Sequence, residues 1–159
     1  KGTSGVVVCA LNKLSAAKLS GEIKKEYVAL VKGELDGSGT VDVPIYRPDP
    51  MKTLRACSYE IGVEPAVTHW YTERVFDGAT LINLKLETGR THQIRVHMSY
   101  IGHPVAGDGV YGPKKVIDYL GGQCLHAGTI GFKHPRTREY IEIESELPDY
   151  FTDFLRRIK

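Results

Sequence analysis

The chain has 159 residues, 42% hydrophobic and 25% charged, with a formal net charge of +2. That balance fits one globular domain large enough to bury a core, and it excludes a tail-like nucleic-acid binder, which needs dense Lys/Arg blocks. No apolar run approaches the roughly 20 residues that cross a bilayer and no signal-peptide pattern opens the chain, so a cytoplasmic protein is expected.

Thr3 to Leu11 is β-branched and apolar and reads as a buried strand. It starts at Lys1 with no approach segment, so one domain over residues 1–159, cut at its N-terminus, is expected. Asn12 or Ser15 can cap a short helix running to about Leu19, with Gly21 as its stop. Lys25 to Leu35 alternates as a strand, Asp36-Gly37-Ser38-Gly39 turns the chain, and Thr40 to Ile45 starts the next strand. Arg47 to Arg55, with Pro48, Pro50 and Lys52, reads as a basic surface loop.

Ala66 to Phe76 and Ala79 to Glu87 flank Asp77-Gly78 and form the clearest hairpin in the chain. Thr91 is the expected cap of a helix from about His92 to Tyr100, with Ile94, Met98 and Ile101 on one face. Gly102 to Pro113 is Gly-rich and irregular. Cys124 to Phe132 and Tyr140 to Ile143 are strands around a turn at His134-Pro135-Arg136. Pro148 to Ile158 is a terminal helix that turns Tyr150, Phe151, Phe154, Leu155 and Ile158 inward. Strands in hairpins with few helices between them imply an α+β fold, with a mixed, mostly antiparallel sheet and flanking helices.

Several site classes drop out on spacing. Cys9, Cys57 and Cys124 are odd in number and far apart, so neither a zinc site nor a disulfide framework is expected. His92 and His97 sit five apart, about 140° around a helix, and would not share a metal ion. The plain reading of both is hydrogen bonding at a sheet–helix junction. The stretch after Gly102 follows a helix and lacks the lysine pattern of a phosphate loop, so no nucleotide cofactor is expected.

GRTHQIRVHM followed by GHPVAGDGVYG resembles the third motif of the RluA family of RNA pseudouridine synthases, ribosomal large-subunit type. KGTSGVVVCALN is similar to the tail of that family's second motif, His-Arg-Leu-Asp, two variable residues, Thr-Ser-Gly. KKEYVALVKG resembles its short motif carrying an aromatic residue, and LHAGTIGFKHP its last core strand. The matches follow the family's order along nearly the whole chain.

The resemblance implies the pseudouridine synthase catalytic core and isomerisation of uridine to pseudouridine in ribosomal or transfer RNA, with no metal or organic cofactor. It makes Arg95 the ion-pair partner of the nucleophilic Asp and Tyr27 the ring that stacks on the target base. Ile94 and Leu125 become walls of the uracil pocket. Arg90 and His92 become RNA contacts, with Arg47, Lys52 and Arg55 as further phosphate candidates. Thr3 and Ser4 shape the turn after the nucleophile.

In the family pattern that Asp stands immediately before Lys1, so this chain is expected to be inactive alone. A catalytically dead RNA-binding module of the same fold is the alternative. Asp108 lies in a different motif and is not taken as the nucleophile. With its carboxylate missing, Arg95 is expected to meet solvent, an anion or another carboxylate in loosened surroundings. The exposed edge of the first strand allows association; no oligomeric state is read from the sequence.

Overall fold

A computed structural model describes residues 2–61, 63–112 and 122–159. Lys1, and Pro113 at the end of the Gly-rich stretch, lie outside the described residues. Nine strands and three helices are described: β1 (Ser4–Gly5), α1 (Lys13–Leu19), β2 (Lys24–Lys32), β3 (Ser38–Asp42), β4 (Ile45–Tyr46), β5 (Ala56–Cys57), β6 (Val67–Phe76), β7 (Ala79–Leu86), α2 (Gln93–Tyr100), β8 (Leu125–Lys133), β9 (Tyr140–Glu144) and α3 (Asp149–Arg157).

Seven strands form one sheet in the order β1-β8-β2-β7-β6-β3, with β9 also paired to β8; β4 and β5 make a separate ribbon. Only β1 runs parallel to its neighbour; the other pairings are antiparallel. This is the expected mixed, mostly antiparallel α+β architecture. Successive residues of β2 face opposite sides of the sheet. Ala29 and Val31 join Ile82, Leu84, Ile94, Met98 and Leu125 in a core under α2. Leu30 joins Phe76, Leu81, Cys124, Phe151 and Phe154 in a second core under α3. Both faces of central β2 are therefore covered, which explains its continuous apolar run.

Four boundaries differ from the sequence reading. The buried strand expected over Thr3 to Leu11 shrinks to Ser4–Gly5, followed by one bond from Val6 N–H to Ala127 O at 3.0 Å. From Thr129 onward that edge of β8 is occupied by β9, so the following residues have no strand to join. Val7 and Leu11 stand exposed. β2 stops at Lys32, not Leu35, because Gly33 N–H turns to Gly78 O at 2.8 Å. The strand expected to reach Ile45 breaks after Asp42, just before Pro44, which has no N–H for a ladder. Finally, Thr91 does not cap α2; His92 occupies that position with φ of 59° and no side-chain cap bond.

Asn12 does cap α1, its Oδ1 accepting from Ser15 N–H at 2.8 Å. The β6–β7 hairpin forms across Asp77-Gly78, pairing Phe76 with Ala79. Among the described residues, no helix is long and apolar enough to cross a membrane.

Candidate active site

Strand alternation puts Lys25, Tyr27 and Ala29 on the face of β2 that α2 covers. α2 lies over the β7–β2–β8 region and brings Ile94 and Arg95 above the end of β2. The chain after β1 closes the opposite side. The result is a cleft of about 280 Å³ lined by Thr3, Val6, Tyr27, Arg90, His92, Ile94, Arg95 and Leu125, among others. Apart from the phosphate candidates Arg47, Lys52 and Arg55, seven of the eight site residues expected from the sequence thus line one cavity. Ser4 does not; its hydroxyl reaches His126 Nδ1 at 2.9 Å behind the wall.

Tyr27 is half-buried, its hydroxyl makes no hydrogen bond among the described residues, and burial raises its pKa. Ile94 and Leu125 are buried core residues that also present surface to the cleft.

Arg95 meets another carboxylate, one of the partners expected for it, but is buried instead of loosely held. It is only 8% exposed and meets Asp108 bidentately, Nε to Oδ2 and Nη2 to Oδ1, both at 2.7 Å. Its surroundings are not loosened: the guanidinium Cζ lies 5.0 Å from the Tyr111 ring centroid. Asp108 can hold it because the chain after α2 doubles back, and that carboxylate is itself fixed by the N–H groups of Val110 and Tyr111. Burial alone would push the Asp108 carboxyl up; the Arg95 and backbone hydrogen bonds outweigh it and hold the pKa below 3.8. Three of the five guanidinium N–H donors remain after the Asp108 fork. Asp108 is fully occupied and does not line the cleft.

Beside this pair, the Tyr111 hydroxyl accepts from Arg55 N–H at 2.8 Å and lies 2.9 Å from His92 Nδ1. Burial, then the positive charges of Arg95 and Arg55, lowers the His92 pKa below 6.5. A non-glycine residue in the left-handed region is uncommon; here it turns the ring toward Tyr111 and the cleft.

Behind α2 runs a directional chain of hydrogen bonds. Gln93 Oε1 accepts from Thr88 Oγ–H and Arg90 N–H, while its Nε2 donates to Val67 O and Thr68 Oγ1. Thr68 then donates to His97 Nδ1 at 2.9 Å, and His97 Nε2–H donates to Val43 O at 3.0 Å. Every orientation follows, because the carbonyl at the far end can only accept. Burial lowers the His97 pKa. His97 is thus a junction histidine, as its plain reading expected, and the chain fixes the rotation of α2 that carries Ile94 and Arg95.

Arg47, Lys52 and Arg55 lie between β4 and β5 and do not line the cleft. Their cations turn back on their own loop: Arg47 Nε donates to Lys52 O, Lys52 pairs with Asp49, and Arg55 Nη1 donates to Thr53 O. Sequence reasoning missed Gln93, Gln123 and Tyr111. Tyr111 had a signal, standing three residues after Asp108 in GDGVYG; the two glutamines had none. Among the described residues, no three His, Cys, Asp or Glu side chains converge to hold a metal ion. Burial pushes the Cys124 thiol up to about 12.

Residues 1–100 match the family model described as RNA pseudouridylate synthase. The chain is 42% identical over 165 residues to an uncharacterized RNA pseudouridine synthase, YlyB, of Bacillus subtilis, covering 100% of this chain and 54% of that protein. It is 40% identical to ribosomal large subunit pseudouridine synthase D of Vibrio parahaemolyticus, covering 94% and 50%. The chain spans about half the length of these relatives. Among solved structures it resembles Human RNA Pseudouridylate Synthase Domain Containing 1, with TM-score 0.69 and 27% identity over 87% of this chain and 62% of that one.

Proposed function

The chain belongs to the RNA pseudouridylate synthase family, and on that footing we propose that it is the catalytic core of an enzyme isomerising uridine to pseudouridine in RNA. The observation that carries this is the single cleft shared by Tyr27, Ile94, Arg95 and Leu125.

A uridine leaving its stack costs a few kcal/mol, which contacts in the pocket must offset. Tyr27 supplies a face for the uracil, and base–aromatic stacking is worth about 1–3 kcal/mol. Ile94 and Leu125 exclude water around the ring. Arg95, anchored from behind by Asp108, uses its remaining N–H donors to hold and ionise the nucleophilic carboxylate; a guanidinium keeps its charge when partly buried. We assign that carboxylate to the residue preceding Lys1, as the His-Arg-Leu-Asp pattern implies. Thr3 and Ser4 hold the turn that follows the nucleophile. Arg90 and His92 contact the RNA at the cleft rim, His92 as a neutral hydrogen-bonding group.

The relatives named for the ribosomal large subunit support ribosomal RNA as the first substrate to test, with transfer RNA second. An RNA substrate fits the expected cytoplasmic location. The test uses ribosomal and transfer RNA carrying tritium at uridine C5, the atom that exchanges its hydrogen for the glycosidic bond. A chain extended upstream through the Asp is expected to release label, and Arg95→Met in that chain to stop release. No release from any RNA by the extended chain would overturn the assignment.

A further inference from the structure

Two neighbouring clefts continue the first along β2. One, of about 250 Å³, shares Val6, Val7, Tyr27 and Ala127 with it and adds Lys25 and Val8. The next, of about 670 Å³, is bounded by Val8, Ile23, Lys25, Gly89 and Arg90. Shared walls make this one groove running from Arg95 past Tyr27 to Lys25. Arg90 borders both ends.

Lys25 is half-buried in this groove and has no ion pair or hydrogen bond among the described residues. The acids near it are committed elsewhere. Glu26 lies on the opposite face of β2 and pairs with Lys85 at 3.0 Å. Glu87 borders the larger cleft, but its Oε1 is bound to His69 Nε2 at 2.6 Å. The chain also leaves space for the ammonium: a Cβ on Gly89 would stand 2.8 Å from Lys25 Nζ.

Lys25 and Tyr27 are two residues apart on one face of a strand, about 6.6 Å along it. That is the scale of one nucleotide step in an RNA strand whose bases are splayed out for recognition. Arg90 Nε is anchored to Pro65 O at 3.0 Å, which leaves its terminal N–H groups for an anion.

We propose that Lys25, together with Arg90, forms a subsite for the RNA phosphodiester flanking the base stacked on Tyr27. This rests on the RNA reading above. The groove then threads a single strand, with the base turned toward Arg95 and its neighbouring phosphate held at Lys25.

The test is binding of a short single-stranded oligoribonucleotide with one central uridine, and of two copies in which the linkage immediately 5′ or 3′ to it is an uncharged methylphosphonate. The wild-type chain is expected to lose about tenfold in affinity for one of the two copies. Lys25→Met is expected to bind all-phosphate RNA more weakly, to lose nothing further for that copy, and to lower the log–log salt slope by about 0.7. Gly89→Ala keeps every charge and displaces the ammonium, so it is expected to lose the same linkage preference even if the Lys25 variant folds poorly. Wild-type binding whose linkage preference survives both substitutions overturns the subsite and leaves the RNA reading standing. No binding of any oligonucleotide by the wild-type chain overturns both.

Discussion

His126 Nδ1 accepts a hydrogen bond from the Ser4 hydroxyl at 2.9 Å, while its Nε2–H is committed to Ser145 O at 2.9 Å. Next to it, Gln123 Nε2 donates to Thr3 Oγ1 at 2.8 Å, and Gly5 pairs with Ala127. Thr3 and the two residues of β1 are thus each held by residues around the start of β8. Ser4→Ala leaves a buried ring nitrogen without its donor, at a cost of about 1–3 kcal/mol. Urea denaturation of this variant is expected to show that loss, and an unchanged midpoint would remove His126 from the role.

Gly5 is required by the same contact. Its φ is 105°, and a Cβ there would meet Ala127 O at 2.1 Å. Gly5→Ala is expected to detach β1 from β8. The readout is amide exchange at Val6, whose N–H bonds Ala127 O: protection disappears there and persists in β2 and β7. Retained protection at Val6 would contradict the clamp.

Removing Asp108 leaves a buried guanidinium without its counter-charge, since the aspartate side chain is 0% and the arginine side chain 10% exposed. Asp108→Ala is expected to destabilise the fold by about 3–5 kcal/mol. A loss below about 1 kcal/mol in chemical denaturation would show that Arg95 finds another partner.

Protonation of His97 is disfavoured in the folded state, mainly by burial, although the bond to Val43 O partly opposes the shift. The unfolded chain therefore binds that proton more readily, near the ordinary value of 6.5. Stability is expected to be constant above that pH and to fall as pH drops below it, by up to about 1.4 kcal/mol per pH unit for one group. His92, lowered in the same direction, adds to the slope. Measured between pH 5 and 7.5, well above the pH at which Asp108 protonates, His97→Asn is expected to make the dependence shallower. An equal slope in wild type and variant would refute the assignment.

Tyr27 separates its ring from its hydroxyl. The hydroxyl has no protein partner among the described residues, so Tyr27→Phe is expected to bind single-stranded RNA like the wild type. Tyr27→Ala is expected to lose about 1–3 kcal/mol of binding. Equal affinities for all three chains would exclude stacking on this ring.

Local pattern was enough to read most of the elements and most of the residues that line the cleft. The β6–β7 hairpin was legible because alternation with a central Asp-Gly depends on neighbours only. GRTHQIRVHM and KKEYVALVKG marked Arg95 and Tyr27, which the fold brings to one cavity. The partners of these side chains came from the folded path of the chain. Asp108 reaches Arg95 through a reversal of the chain after α2, and Gln123 and His126 meet Thr3 and Ser4 across about 120 positions. The end of the first strand was likewise decided by β9 taking the edge of β8. Periodicity reports which face a segment buries; which donor meets which acceptor depends on the path of the whole chain, and no local pattern encodes that path.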